Sequence, residues 1–336
     1  MSSEIIDMHI HFGAPADAAS GCYWSAEFEK TAAYYAMLFL TRSLFKKVDL
    51  SRVKSHLLET IRTARYINKA VLLALDEVYD LEGQVHPEWT HLHVPNQYLF
   101  QLTSEETKIL AGCSVHPYRR DWEDQLDQAI ARGTVLCKWI PSSQLINPAH
   151  PRCKPFYRKL IDHHLPLLCH AGPEHAIPAA NRSYEEFNHP GHLREALEEG
   201  VTVIIAHCAL PYFWIFDSNY QQDFREFLGL VEEAEKKNWN LYGDVSALAT
   251  LLRAPYIKKI LRKVPVQRLL FGSDYPIPLS EFTYNRSQNF LNWLRFLIRV
   301  WSLKNPLDKN YLVIKKMGFS EQIFTNASQL FSQIRR

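Results

Sequence analysis

No pair among the six cysteines, Cys22, Cys113, Cys137, Cys153, Cys169 and Cys208, has Cys-x-x-Cys spacing. Several lie inside apolar runs, so they read as small buried residues of a reducing compartment, not as disulfide partners. No apolar run approaches the length needed to cross a bilayer. No signal peptide is visible, because the chain enters a strand-like run within a few residues. A cytoplasmic protein with no membrane role is the expectation. No basic run exists either, and the formal net charge is only +2, which leaves nothing to track a nucleic-acid backbone. Gly13 is followed by Ala14, Pro15 and Ala16, so the first strand does not lead into the Gly-x-Gly-x-x-Gly of a dinucleotide-binding fold. Internal repeats and low-complexity linkers are also missing. The 336 residues read as one domain with insertions at about 21–47, 77–102 and 285–303.

Hydrophobic residues at 47% and charged residues at 22% fit a soluble globular protein, and 12% aromatic content suggests a deep core and an aromatic-lined pocket. Short apolar runs recur, separated by segments of helical pattern. Strands are expected in the opening run through His11, then at Ala70–Asp76, Leu110–His116, Val135–Ile140, Leu165–His170, Val201–His207, Asn240–Val245 and Arg268–Asp274. Helices are expected at Ser51–Asn68 with Ser51 as N-cap, from about Thr103, and at Trp122–Arg132 before Gly133. Further helical patterns cover Pro155–His163, Gly191–Glu199, Tyr220–Asn238, Pro255–Lys263, Phe290–Trp301 and Ser320–Ile334. The strands are continuously apolar, which indicates a parallel sheet covered on its outside. Eight strand–helix units in this length favour a (β/α)8 TIM barrel with insertions at its C-terminal face.

In such a barrel the chemistry sits where the strands end. Those positions hold His9 and His11, Lys138, His170, His207 and Asp274. On a strand, His9 and His11 project from one face with Asp7 below them, and two imidazoles one repeat apart can share a metal ion.

The motifs Asp7-Met8-His9-Ile10-His11, Cys169-His170-Ala171-Gly172, Ile205-Ala206-His207-Cys208 and Phe271-Gly272-Ser273-Asp274-Tyr275-Pro276 together resemble the amidohydrolase superfamily. Within it they are similar to the amidohydrolase-related (amidohydrolase 2) branch, which includes aminocarboxymuconate-semialdehyde decarboxylase-like enzymes. The tail Ile323–Phe331 resembles that branch's closing helix. The resemblance implies that His9, His11, His170 and Asp274 bind one divalent metal ion per chain, with zinc expected, and leave a position for water. The ion would acidify that water and polarise a substrate carbonyl or carboxylate. Asp274 would orient or deprotonate the water, and His207 would act as general acid/base.

Other roles stay open at this point. In binuclear relatives a strand-four lysine is carboxylated and bridges two metals, which would recruit Lys138, His170 and His207 together. In the mononuclear branch, the preferred reading, Lys138 lies near the pocket and can bind an anionic substrate; a plain salt bridge is the third option. His116 ends the third strand and can line the pocket as a substrate contact. Asp244, at the end of strand seven, can hold a neighbouring ligand or contact substrate. Arg119, Arg120, Arg182 and Arg253 are candidates for gripping a substrate carboxylate. His86, His91 and His93 read as a solvated loop. The leading expectation is a metal-dependent hydrolase of a small-molecule amide, ester or lactone, and the alternative is a non-oxidative decarboxylase of a small unsaturated or aromatic acid. A barrel that only binds ligand would be free to lose a metal ligand, and none is missing. The expected partner is a small molecule, with neither nucleic acid nor membrane. The insertions after strands one and eight are expected to form a lid, a homodimer contact, or both.

Overall fold

The computed structural model describes residues 4–40, 48–210, 220–250, 253–280 and 290–335. Eight strands stand where the apolar runs are: β1 (Ile6–His11), β2 (Lys69–Leu73), β3 (Ile109–Cys113), β4 (Leu136–Trp139), β5 (Leu167–Cys169), β6 (Val203–Ile205), β7 (Leu241–Asp244) and β8 (Leu269–Leu270). Each pairs in parallel with the next. Met8 N–H donates to Phe271 O (3.1 Å) and Asp274 N–H to His9 O (2.8 Å), which brings the β8 region back onto β1. The result is the TIM barrel that the alternation predicts. Paired segments are shorter than the apolar runs, most of all at β8, because the last residues of each run leave the ladder to enter the loops above it.

Strand residues divide into two layers. Met8, Val71, Leu136, Leu168, Ile204 and Leu270 pack together inside the barrel; Ile10, Leu72, Cys137, Cys169, Ile205 and Phe271 face the helices. All six cysteines are buried free thiols. β1 breaks the strict alternation. Its register against β2 shifts between Asp7 and Ile10, a bulge-like irregularity that leaves Ile6 and Met8 in the inner layer and Ile10 in the outer one. The inward face thereby passes to His9 and His11, while Asp7 is buried against β8 and accepts Ser273 N–H at 2.8 Å.

The helix after the first insertion runs Leu50–Thr63, capped by Asp49, which accepts Arg52 N–H at 2.8 Å; Ser51 is already inside it. A helix at Asn96–Glu105 ends where one was expected to begin, because Tyr98, Leu99, Phe100 and Leu102 bury its apolar face. A helix not anticipated covers Pro306–Lys316. Asn305 caps it by accepting the N–H groups of Leu307 and Asp308, and Asp308 in turn accepts Arg65 N–H (2.8 Å) and Tyr66 N–H (3.0 Å) ahead of β2. The last helix, Ile323–Phe331, sends Ala327 and Leu330 into the inner layer. Asn326 donates to Val266 O (2.9 Å) and Leu269 O (2.8 Å), so this helix closes the end of the barrel where the strands begin.

The excursion between β2 and β3 is not a solvated loop. Leu92–His93 pairs antiparallel with Tyr23–Trp24, and Ser25 Oγ lies 2.8 Å from His91 Nδ1. His86 stands between Asp80 and Glu88, 3.1 and 2.8 Å away. This two-stranded sheet carries the helix Ala32–Leu40 over the C-terminal face of the barrel. The helix Phe290–Ser302 buries Leu297 and Val300 and leaves Phe290, Leu291, Ile298 and Trp301 exposed. It does not line the cavity described below among the described residues. Positions 41–47 and 285–289 of the two insertions lie outside the described residues. No described helix is long and apolar enough to cross a membrane.

Candidate metal centre and substrate cavity

Three ligand atoms from two adjacent strand ends meet at one point. His9 Nε2 lies 3.0 Å from His11 Nε2, and Asp274 Oδ1 stands 3.5 Å from the first and 3.2 Å from the second. Asp274 adopts a left-handed backbone (φ 62°), which costs a non-glycine residue on the order of 1–2 kcal/mol. Gly272 allows the approach: a Cβ there would fall 2.8 Å from His9 Cβ.

Asp244, at the end of β7, holds this arrangement from behind. Its Oδ2 accepts His9 Nδ1–H at 2.7 Å, so the His9 Nε2 lone pair faces Asp274 and His11. Its Oδ1 accepts His207 N–H (2.9 Å), Ser246 N–H (3.0 Å) and the Ser246 hydroxyl. Ser246 Oγ, its proton spent on Asp244, accepts His207 Nδ1–H at 2.7 Å. That leaves His207 Nε2 as a lone pair, 3.7 Å from Asp274 Oδ2. Burial opposes ionisation of Asp244, but the imidazole rings of His9 and His207 and the bonds it accepts hold its carboxyl well below the usual range. His207, Cys208 and Ala209 are three consecutive residues with positive φ, 53°, 52° and 55°. The bond from His207 N–H to Asp244 offsets part of that strain and turns the His207 ring inward.

His170 follows β5. Its Nδ1 lies 3.2 Å from Glu174 Oε2, while its buried Nε2 has no hydrogen-bond partner. Gly172 takes φ +84°, and a Cβ there would meet Ala209 O at 2.8 Å, so the loop after His170 packs directly on the loop carrying His207. The two rings lie 5.6 Å apart, edge to face. Burial pushes the His170 imidazole down to about 4 and the His207 imidazole well below its usual range, so both rings are neutral donors of a lone pair.

These groups fit a divalent ion. Two imidazole nitrogens and a carboxylate oxygen, from His9, His11 and Asp274, converge; His170 stands outside that cluster, but its orphaned Nε2 is a buried polar atom that a cation would satisfy. A second cluster, His9, His207 and Asp244, is less suited, because its atoms are already spent on one another and on Ser246.

Lys138 is buried on β4 beside the centre, and burial lowers its ammonium pKa against the opposing pull of Asp244. It lines a cavity of about 370 Å³ with His11, His170, His207, Arg253 and Asp274. Of the four candidate arginines, Arg253 alone lines that cavity. Arg119 is held by Asp76 and Asp121, Arg120 donates to Glu82 O, and Arg182 is on an exposed 3-10 turn. His116 is elsewhere. Its Nε2–H donates to Gln144 O (2.6 Å) and its Nδ1 accepts Tyr118 N–H (3.2 Å), so both nitrogens serve the packing below the loops and neither reaches the cavity. Glu174 and Ser246 are site residues that strand-end reasoning passes over. Glu174 has a signal in the sequence, a carboxylate four residues beyond a strand-end histidine.

The Amidohydro_2 family model, described as amidohydrolase, matches residues 6–296. No curated protein matches the sequence. Among solved structures, an uncharacterised TIM-barrel protein from Bordetella bronchiseptica is 17% identical with a TM-score of 0.55, covering 96% of this chain and 99% of that one. A Pseudomonas putida protein provisionally described as a 2-pyrone-4,6-dicarboxylic acid hydrolase is 14% identical with a TM-score of 0.55, covering 99% of both. The IDCase of Metarhizium anisopliae, in apo form, is 11% identical with a TM-score of 0.50, covering 99% and 98%. At these identities the likeness shows the fold. By the family match, the chain belongs to the Amidohydro_2 family of amidohydrolases, metal-dependent hydrolases and decarboxylases.

Proposed function

We propose that the chain hydrolyses a small-molecule amide, ester or lactone, with one zinc ion held by His9, His11, His170 and Asp274. The observation that carries this reading is the convergence of His9 Nε2, His11 Nε2 and Asp274 Oδ1, with His207 Nε2 on the other oxygen of the same carboxylate. When bound, the ion supplies a Lewis acid for the substrate carbonyl and lowers the pKa of water. Asp274 orients the attacking water and accepts its proton. His207, neutral and with its lone pair turned inward by Ser246, takes that same proton from Asp274 at Nε2 and delivers it to the leaving group. Asp244 keeps His9 and His207 in the tautomers these tasks require. Lys138 and Arg253 hold a substrate anion in the cavity.

The apolar wall described below favours a second reading, non-oxidative decarboxylation, in which the same cations grip the substrate carboxylate and His207, after taking a proton from water at Nε2, passes it to the carbon that CO2 leaves. One experiment separates the two. Metal-loaded protein is incubated with a panel of amides, esters and lactones and a panel of unsaturated and aromatic acids. Acid release from the first panel supports hydrolysis, CO2 release from the second supports decarboxylation, and neither product overturns both readings.

A further inference from the structure

Cavity chemistry is divided by origin. The side chains that bear charge or can ligate come from the strand ends and the loops directly after them, Lys138, His170, Arg253 and Asp274 among them. All seven described lining residues contributed between positions 28 and 57 are apolar, including Phe28, Ala36, Met37, Val53 and Leu57. Leu92 from the small sheet and Ile177 from the loop after β5 extend that wall. Along this side a polar substrate body would lose its bonds to water and find no donor or acceptor among those residues. Ala32, Ala33 and Ala36 lie at helical spacing on the covering helix, and their short side chains keep the space open.

The floor sets two carboxylates, Glu174 and Asp274, beside two buried cations, Lys138 and Arg253, and a bound divalent ion would tip its balance towards positive charge. Glu174 is taken up by His170 Nδ1 and by the N–H groups of Ala176 and Ile177, and Asp274 belongs to the ligand set. Lys138 and Arg253 are buried cations on the same floor. Resting on the functional reading above for the place of the metal, we propose that the substrate is an amphiphilic acid. Its carboxylate meets Lys138 and Arg253, and an extended apolar body lies along Phe28, Ala36, Met37 and Leu57. The insertion after β1 is then the element that determines substrate length.

Calorimetric titration of metal-loaded protein with straight-chain alkanoates of four to twelve carbons tests this, alongside the matched primary amides. Affinity is expected to rise about fourfold per added methylene until the wall is covered, with each amide at least about tenfold weaker than its acid. Ala36→Phe, checked for folding by its thermal melt, shortens the optimal chain and leaves the acid preference intact. Arg253→Met reduces the acid preference and leaves the chain-length slope intact, which a general loss of folding would not do. Repeating the series on metal-stripped protein separates the roles, because the slope belongs to the wall and persists without the ion. A flat chain-length series, or amides binding as tightly as acids, overturns the proposal. A steep series on a protein that forms neither hydrolysis nor decarboxylation product would overturn the functional reading and leave this one standing.

Discussion

Asp244 Oδ2 accepts the His9 Nδ1 proton at 2.7 Å, and the same carboxylate reaches His207 through Ser246. One side chain on β7 therefore sets the tautomer of an expected metal ligand and of the expected acid/base. Asp244→Asn should weaken metal affinity about 10- to 100-fold, measured by competition with a chelating dye. Among the expected ligands Glu174→Gln reaches only His170, and it should weaken metal affinity less. Equal affinity in wild type and Asp244→Asn would remove the orienting role.

An ion held by His9, His11 and Asp274, with His170 as the proposed fourth ligand, binds the folded chain and not the unfolded one, and so should stabilise the fold. At a hundredfold excess over its Kd the gain is about 2.7 kcal/mol. Scanning calorimetry should show the melting temperature fall on treatment with chelator and recover with zinc. In His11→Ala the chelator should change little.

His116 gives a pH dependence away from the metal centre. Burial pushes its imidazole down to about 3, against the opposing bond to Gln144 O. Its folded pKa is below the unfolded value of about 6.5, so the unfolded chain binds the proton first as pH falls. Its contribution is complete above about pH 6.5 and is lost between there and pH 3, at about 1.4 kcal/mol per unit. Denaturant titrations across that window should show a shallower decline for His116→Gln than for the wild type.

Gly272→Ala places a Cβ 2.8 Å from His9 Cβ. Overpacking of this kind costs about 1–3 kcal/mol, and here it acts on a metal ligand. Chemical denaturation should show the loss, and dye competition should show weaker metal binding in the folded fraction. An unchanged pair of values would mean that β8 can move away from β1 freely.

Much of this was legible in the residues themselves. Parallel strands buried on both faces must be apolar throughout, so the eight runs and the polar residues ending them point to the barrel and to His9, His11, His170, His207 and Asp274 at one end. Where the reading stopped, a non-local interaction decides the outcome. The shift in β1 that aims His9 and His11 inward depends on pairing with β2. His116 ends an apolar run like the others, yet Gln144 O, distant in sequence, takes its proton. Helix Pro306–Lys316 carries only the local signals of Asn305 and a proline at its first position, and its place is set by Asp308 bonding to Arg65 and Tyr66, distant in sequence. The Asp244–Ser246–His207 chain rests on backbone turns with positive φ that no composition or period announces.

The central claim is one metal ion held by His9, His11, His170 and Asp274. Elemental analysis of protein purified without added metal tests it most directly, run beside His9→Ala and Asp274→Ala. The account predicts one equivalent per chain in the wild type and a loss of most of it in both variants. Two equivalents with a carboxylated Lys138, or one equivalent retained in both variants, would contradict it.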